Sequence, residues 1–279
     1  MLSDAPGDDL AQARALLHQG FRALAEQSGR WQQEQQMAWW LSGLPAMGAN
    51  LMLDCGPAPD PQRLEALARR LRGLEVPAGW LIWPDQCPAL QQSVVRASGF
   101  QACERLWLAR LAAGELSAAP EPSLAPPLSI RRLIPRDAPA LTELYRVAHQ
   151  IPPCFAGVSA RAFVSQLPTV LSTYGGFVPV DGSPQLELVA AITVVLESPP
   201  RGHQEAERAG LVWLGTHPQL RRRGIGSQLT GEVARLLVGS GVTCIHVQAS
   251  PAAVGLYQAL GFRCNGWLEL WGHEPLREQ

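Results

Sequence analysis

Residues 211–237 read LVWLGTHPQLRRRGIGSQLTGEVARLL. An apolar strand-like run (211–216) passes through three consecutive arginines, Arg221, Arg222 and Arg223, and through Gly224-Ile225-Gly226. It then enters a helical pattern with Leu229, Val233, Leu236 and Leu237 on an inward face, which Gly239 and Gly241 end. A chain that runs from strand to helix through glycines leaves its first-turn N–H groups unpaired. They converge on one place, where the helix dipole is positive. That arrangement binds anions. Gly224 and Gly226 let the backbone approach a ligand without a Cβ in the way, and the arginines offer charge-assisted donors around it, so a polyphosphate fits.

Composition narrows the choice. All 23 basic residues are arginine and none is lysine. A Walker loop needs a lysine near its end, and a dinucleotide fingerprint needs a third glycine that Gly224-Ile225-Gly226-Ser227-Gln228-Leu229 lacks. The net charge of -1 gives no global basic field for nucleic acid or anionic lipid, so any anion site is local. The six cysteines are scattered without metal-ligand spacing, which predicts reduced core residues and no metal. The acidic start MLSDAPGDDL is unlike a signal peptide, and no run reaches the roughly 18 apolar residues of a membrane helix, so a cytoplasmic protein is expected.

A Pro/Ala-rich segment at residues 114–129 reads as a semi-rigid linker between a domain at 1–113 and another at 130–279. The second begins with a short strand and a helix that Asp137 can cap, with Leu141, Leu144 and Val147 as its apolar stripe. A loop-rich stretch, IPPCFAGVSARAFVSQLP, follows. Two strands joined by a turn at 181–184 come next, then the strand, loop and helix above, a strand VTCIHVQAS, a helix ending at Gly261 and a last strand. The order predicts an α/β (α+β) fold, a mixed central sheet flanked by helices.

The motif Arg221-x-x-Gly224-x-Gly226 resembles the acetyl-CoA pyrophosphate loop of the GCN5-related N-acetyltransferase (GNAT) superfamily. About 30 residues on, AVGLYQALGF (253–262) resembles the family's second signature, and SIRRLIPRDAPALTELY resembles its first strand and helix. The resemblance implies an acyl-CoA N-acyltransferase fold and transfer of acetyl from acetyl-CoA to a primary amine of a small molecule or peptide. A non-catalytic acyl-CoA-binding or regulatory module is the alternative. It also implies roles. Backbone N–H groups of Arg222, Arg223, Gly224, Ile225, Gly226 and Ser227 hold the pyrophosphate, with charge from Arg221 to Arg223. Leu214 and Thr216 pair with the pantetheine arm, Ser250 caps the last helix, and Tyr257 protonates the departing thiolate. For a general base, Glu187, Glu197, Glu207, His217 and water stay open, because the strand at 211–216 carries no acid. The acceptor pocket is expected around Tyr145, Phe155 and Tyr174, and the oligomer as monomer or homodimer.

The first half repeats the pattern. PALQQSVVRASGF aligns with PAAVGLYQALGF, placing Gly99-Phe100 on Gly261-Phe262 and Val95 on Tyr257, and GWLIWP aligns with TCIHVQ. Between its strand and helix stand Pro57, Pro59, Asp60 and Pro61, which remove amide donors and add negative charge where a pyrophosphate needs the opposite. Two tandem lobes are expected, the first of them degenerate, with most of its six tryptophans in its core.

Overall fold

The computed structural model describes residues 6–117, 128–165, 170–179, 185–197 and 207–274. In chain order the elements are α1 (Pro6–Ser28), β1 (Arg30–Glu34), β2 (Met37–Leu41), β3 (Asn50–Asp54), α2 (Pro61–Arg72), β4 (Ala78–Ile82), α3 (Pro88–Ala97) and β5 (Gln101–Ala112). There follow β6 (Ser129–Arg132), α4 (Ala138–His149), α5 (Pro153–Phe163), β7 (Leu171–Pro179), β8 (Leu186–Leu196), β9 (Arg208–Thr216), α6 (Ile225–Gly239), β10 (Cys244–Ala249), α7 (Val254–Ala259) and β11 (Arg263–His273). Most of the linker expected at 114–129, and the turn expected at 181–184, lie outside the described residues.

The strands form one mixed sheet in the order β1-β2-β3-β4-β11-β5-β10-β9-β8-β7-β6. Neighbours are antiparallel except β3 with β4 and β9 with β10. The last strand of each half crosses into the other: β5 lies on β10, with Trp107 opposite Ala249, and β11 lies on β4, with Trp271 opposite Trp80. β5 and β11 also pair with each other, from Arg263 opposite Arg110 to Gly272 opposite Gln101. Neither lobe can therefore complete its sheet alone, because β4 and β10 would be left as open edges.

Helices cover both faces. On one, α1, α4 and α5 share a single core that draws residues from both halves, among them Trp40, Leu53, Tyr145, Phe155 and Leu268. Trp40 is fully buried, between Phe21 at 5.9 Å and Phe155 at 6.2 Å, so an aromatic stack joins the lobes. On the other face two separate cores form, one under α2 and α3 and one under α6 and α7. The internal repeat is visible in hydrogen bonds. Phe100 N–H donates to the Val95 carbonyl at 2.9 Å and Phe262 N–H to the Tyr257 carbonyl at 3.0 Å, and Gly99 and Gly261 both take the left-handed conformation, at φ 84° and 97°. The tandem arrangement of a mixed sheet and flanking helices is the one expected.

Several local expectations are corrected. The stretch whose prolines predict loop contains α5, opened by Pro153 in its first turn, where its missing N–H costs nothing, and buried on nearly every side. Asp137 does not cap α4: its carboxylate accepts from Arg131 at 2.7 and 2.8 Å and from Ile134 N–H at 2.9 Å. Leu236 is exposed rather than inward. Of the six cysteines only Cys55 is buried; Cys87, Cys103, Cys154 and Cys264 are exposed.

Cutting the chain between Ser117 and Leu128 with an inserted protease site is expected to leave both pieces co-eluting by size exclusion, held by the exchanged strands; separation without denaturant would contradict the exchange. Trp40→Ala is expected to cost about 3–5 kcal/mol in denaturant unfolding, the usual range for emptying a buried aromatic site.

Candidate active site

β9 and β10 pair in parallel only from Arg208 opposite Cys244 to Leu211 opposite Val247; beyond that row the two strands run on without pairing to each other. The cause lies on the other edge of β9. Ala191 faces Gly215 but Thr193 faces Val212, a bulge in which Trp213 sits at φ 55°. A bulge bends its strand and raises the twist, which turns residues 212–216 away from β10. A left-handed tryptophan is strained by roughly 1–3 kcal/mol and persists only where packing dictates it. Here Tyr145 and His149 lie 5.3 Å from its ring, Phe163 5.4 Å and Phe155 5.6 Å.

The splay opens into a cleft of about 610 Å³. Leu214, Ser250 and Tyr257 line it, together with His149, Phe155 and Trp213 and, from the first half, Phe21, Met47 and Leu81. Tyr257 is nearly fully buried and packs edge-on to Phe262 at 5.2 Å. Its hydroxyl makes no hydrogen bond among the described residues, and burial pushes the phenol well above its ordinary range, so it stays protonated. Ser250 reaches the cleft but does not cap by its side chain; only its carbonyl accepts, from Ala253 N–H at 2.9 Å. Of the three residues expected around an acceptor, only Phe155 lines this cleft. Tyr145 is fully buried, its hydroxyl spent on Thr193 at 3.2 Å, and Tyr174 packs in the core under α6 and α7.

Past Thr216 the chain makes a 3₁₀ turn, Pro218–Leu220, then carries Arg222 at φ 60° and Gly224 at φ 84° into α6. Gly224 offers no side-chain cap, and the first helical bond is Gln228 N–H to the Gly224 carbonyl at 2.9 Å. The N–H groups of Ile225, Gly226 and Ser227 therefore lack a helical partner and point out of the helix end. Buried Ile225 anchors the loop from below. A Cβ on Gly226 would stand 3.1 Å from Leu256 and 3.4 Å from the Thr216 hydroxyl, so glycine there brings α6 against both β9 and α7. Arg221 is already committed: its guanidinium donates to the Ala148 carbonyl at 2.6 Å and the Thr216 carbonyl at 3.2 Å, tying the end of α4 to the end of β9.

None of the carboxylates considered as a base lines the cleft. Glu197 is paired with Arg208 at 3.3 Å, at the far end of β9; Glu207 precedes that end, and Glu187 is exposed near the start of β8. His217 lies outside the cleft too. The residue that sequence reasoning missed is His149. It is the last of α4, its Nε2 is shut off from solvent without a hydrogen-bond partner, and burial and then the Arg221 charge push its pKa down to about 4. Nothing in YRVAHQ marks it, because its place depends on the bulge at Trp213.

The matching region of the first half is closed. Trp83 Nε1 donates to the Leu53 carbonyl at 2.8 Å and Cys55 N–H donates to Gln86 at 3.3 Å, so side chains that follow β4 bridge to the end of β3. Asp54 adds negative charge there, held by Gln86, His18 and Arg14. Among the described residues no group of His, Cys, Asp and Glu could hold a metal, and no helix is long and apolar enough to cross a membrane.

Residues 187–264 match the family model described as an acetyltransferase (GNAT) domain. An acetyltransferase of Pectobacterium atrosepticum is 29% identical over 82 residues, which are 28% of this chain and 58% of that protein; the chain thus spans little more than half the length of this relative. Among solved structures, a GCN5-related N-acetyltransferase from Kribbella flavida superposes with a TM-score of 0.63 at 18% identity, over 94% of each chain. A tandem GNAT protein from the clavulanic acid biosynthesis pathway gives 0.53 at 16% identity, over 88% of this chain and 80% of the other. The fold is that of the GNAT acetyltransferases built twice in tandem, and the segment 187–264, which matches the GNAT-domain model, holds the splay, the glycine loop and Tyr257.

Because His149 titrates lower folded than unfolded, protons bind preferentially to the unfolded chain between pH 6.5 and about 4, and stability falls as pH drops through that window. Relative to His149→Gln, the native chain is expected to lose on the order of 2–3 kcal/mol more between pH 7 and pH 4. Parallel pH profiles for the two proteins would contradict an enclosed neutral imidazole.

Proposed function

We propose that this protein transfers the acetyl group of acetyl-CoA to a primary amine, in a ternary complex and at the second lobe alone. The observation that carries the reading is the coincidence, at one end of β9, of an unpaired strand edge, an uncapped helix N-terminus with left-handed Gly224, and the protonated hydroxyl of Tyr257. The pyrophosphate would sit on the N–H groups of residues 225–227, with charge from Arg222 and Arg223. The pantetheine arm would add to β9 at Leu214 and Thr216 as a further strand.

In this reading the amine nitrogen attacks the thioester carbonyl carbon, and a backbone N–H of the bulged segment holds the oxygen as it gains charge. The carbon–sulfur bond breaks, the sulfur takes the Tyr257 proton, and the proton lost by the nitrogen passes to water. The imidazole of His149 is neutral at pH 7, but its Nε2 is enclosed against β9, so it shapes the cleft and takes no proton. Its contribution is therefore smaller than that of the thioester's placement. A module that only binds acyl-CoA would not need an unbonded phenol facing the splay.

Calorimetric titration of acetyl-CoA into the whole chain is expected to give one site, because Trp83 and Gln86 close the equivalent place in the first lobe; two sites would overturn the assignment of a single active lobe. Gly224→Glu is expected to abolish that binding. Tyr257→Phe is expected to leave acetyl-CoA affinity nearly intact while lowering kcat by roughly 10- to 100-fold, followed as CoA release with a panel of amines.

A further inference from the structure

The cleft does not end at the splay. From β10 it crosses β5 and β11 to β4, three strand spacings or roughly 14 Å, over a floor of Leu106, Leu268, Leu270 and Leu81 and beneath Leu17 and Phe21 of α1. This wing is apolar and is built by both lobes. A sugar, an amino acid or another hydroxyl-rich acceptor would leave its polar groups without partners there, which an apolar surface penalises.

Its charge is one-sided. The charged side chains that line the cleft are Glu104 and Glu274, and no described arginine does so, in a chain whose 23 basic residues are all arginine. Glu104 is half-buried, makes no ion pair or hydrogen bond among the described residues, and has its carboxyl raised above the usual range by that burial. Other partly enclosed carboxylates have an arginine: Asp9 has Arg110 at 3.0 Å, Asp85 has Arg14 at 2.5 Å and Glu197 has Arg208 at 3.3 Å. Glu104 stands on β5 three residues from Trp107, whose partner across the sheet is Ala249 at the splay, so its row lies roughly 10 Å from the thioester end of the cleft.

Resting on the acetyl-transfer reading above, we infer that the acceptor is an amine with an extended apolar body and a second cationic group at its far end. The nitrogens stand roughly 10 Å apart. One, unprotonated, meets the thioester between Tyr257 and His149; the apolar body lies along the leucines; the other, an ammonium, sits at Glu104 with Glu274 beside the mouth. The first lobe then supplies the floor and roof that select the acceptor, although it binds no acyl-CoA itself.

The test uses the full chain and four probes: 1,8-diaminooctane, 1,3-diaminopropane, n-octylamine and glucosamine. Acetyl-CoA binding is first measured alone; its absence would defeat the acetyl-transfer reading before any acceptor is judged. With binding established, the inference expects kcat/KM to be highest for diaminooctane, at least about tenfold above octylamine, the worth of one partly desolvated charge contact. Diaminopropane and glucosamine should be poorer still. Glu104→Gln is expected to lower the ratio of diaminooctane to octylamine by about tenfold, which a loss of folding or of acyl-CoA binding would not do. Equal rates for octylamine and diaminooctane would overturn the second cation. Glucosamine as the best probe, or an unchanged ratio in Glu104→Gln, would overturn the inference as a whole.

Discussion

Everything in this molecule depends on the exchange of β5 and β11. Each is the last strand of its own half and the completing neighbour of the other half's parallel pair, β5 on β10 and β11 on β4. Main-chain hydrogen bonds are obligatory, and a buried strand edge without a partner is costly, so the two halves are bound by backbone as well as side chains. The exchange also fixes where the cleft can be. With β5 against β10, the sheet beyond the splay is continuous into the first half, and the leucines of β5, β11 and β4 form one surface.

The two copies of the repeat separate what the fold needs from what differs between the halves. The left-handed pair Gly99 and Gly261, and the bonds from Phe100 to Val95 and from Phe262 to Tyr257, are the same in both, because both ends must turn from helix to strand in the same way. Side chains at the equivalent sites differ. Tyr257 presents a phenol to an open splay where Val95 fills a core, and the glycine loop into α6 stands where Asp60 and three prolines lead into α2. Asp60 there does what a residue before a helix ordinarily does, accepting from Gln62 N–H at 3.0 Å, which uses up the helix end that α6 leaves free.

Much of this was legible in the sequence, for identifiable reasons. The strand, loop and helix at residues 211–237 carry their own signals in apolar periodicity and in glycines at positive φ, and the structure puts β9, Gly224 and α6 where those signals fall. The repeat was legible because equivalent turns require equivalent residues. The exchange was not, since the pattern of QACERLWLARLA is the same whether its neighbour is β4 or β10. α5 was hidden because its prolines and Gly157 read as loop, while its stability comes from burial between α1, α4 and the sheet. His149 was hidden for a similar reason: a lone histidine at the end of a helix gains meaning only when a bulged strand folds against it.

The bulge at Trp213 is strain that packing holds in place. Its left-handed backbone opposes local preference, and four aromatic or imidazole rings within 5.6 Å hold it in place. Two of those neighbours have further tasks. Phe155 reaches the first lobe through Trp40, so the docking of the lobes and the opening of the splay share one stack of rings. His149 is pressed against β9 at Gly215, where a Cβ would come within 3.1 Å of its Nε2, and the absence of that methyl group leaves the imidazole its place. One ring, Phe155, thus serves both the lobe interface and the bend in β9, while the other three that hold Trp213 belong to the second half alone.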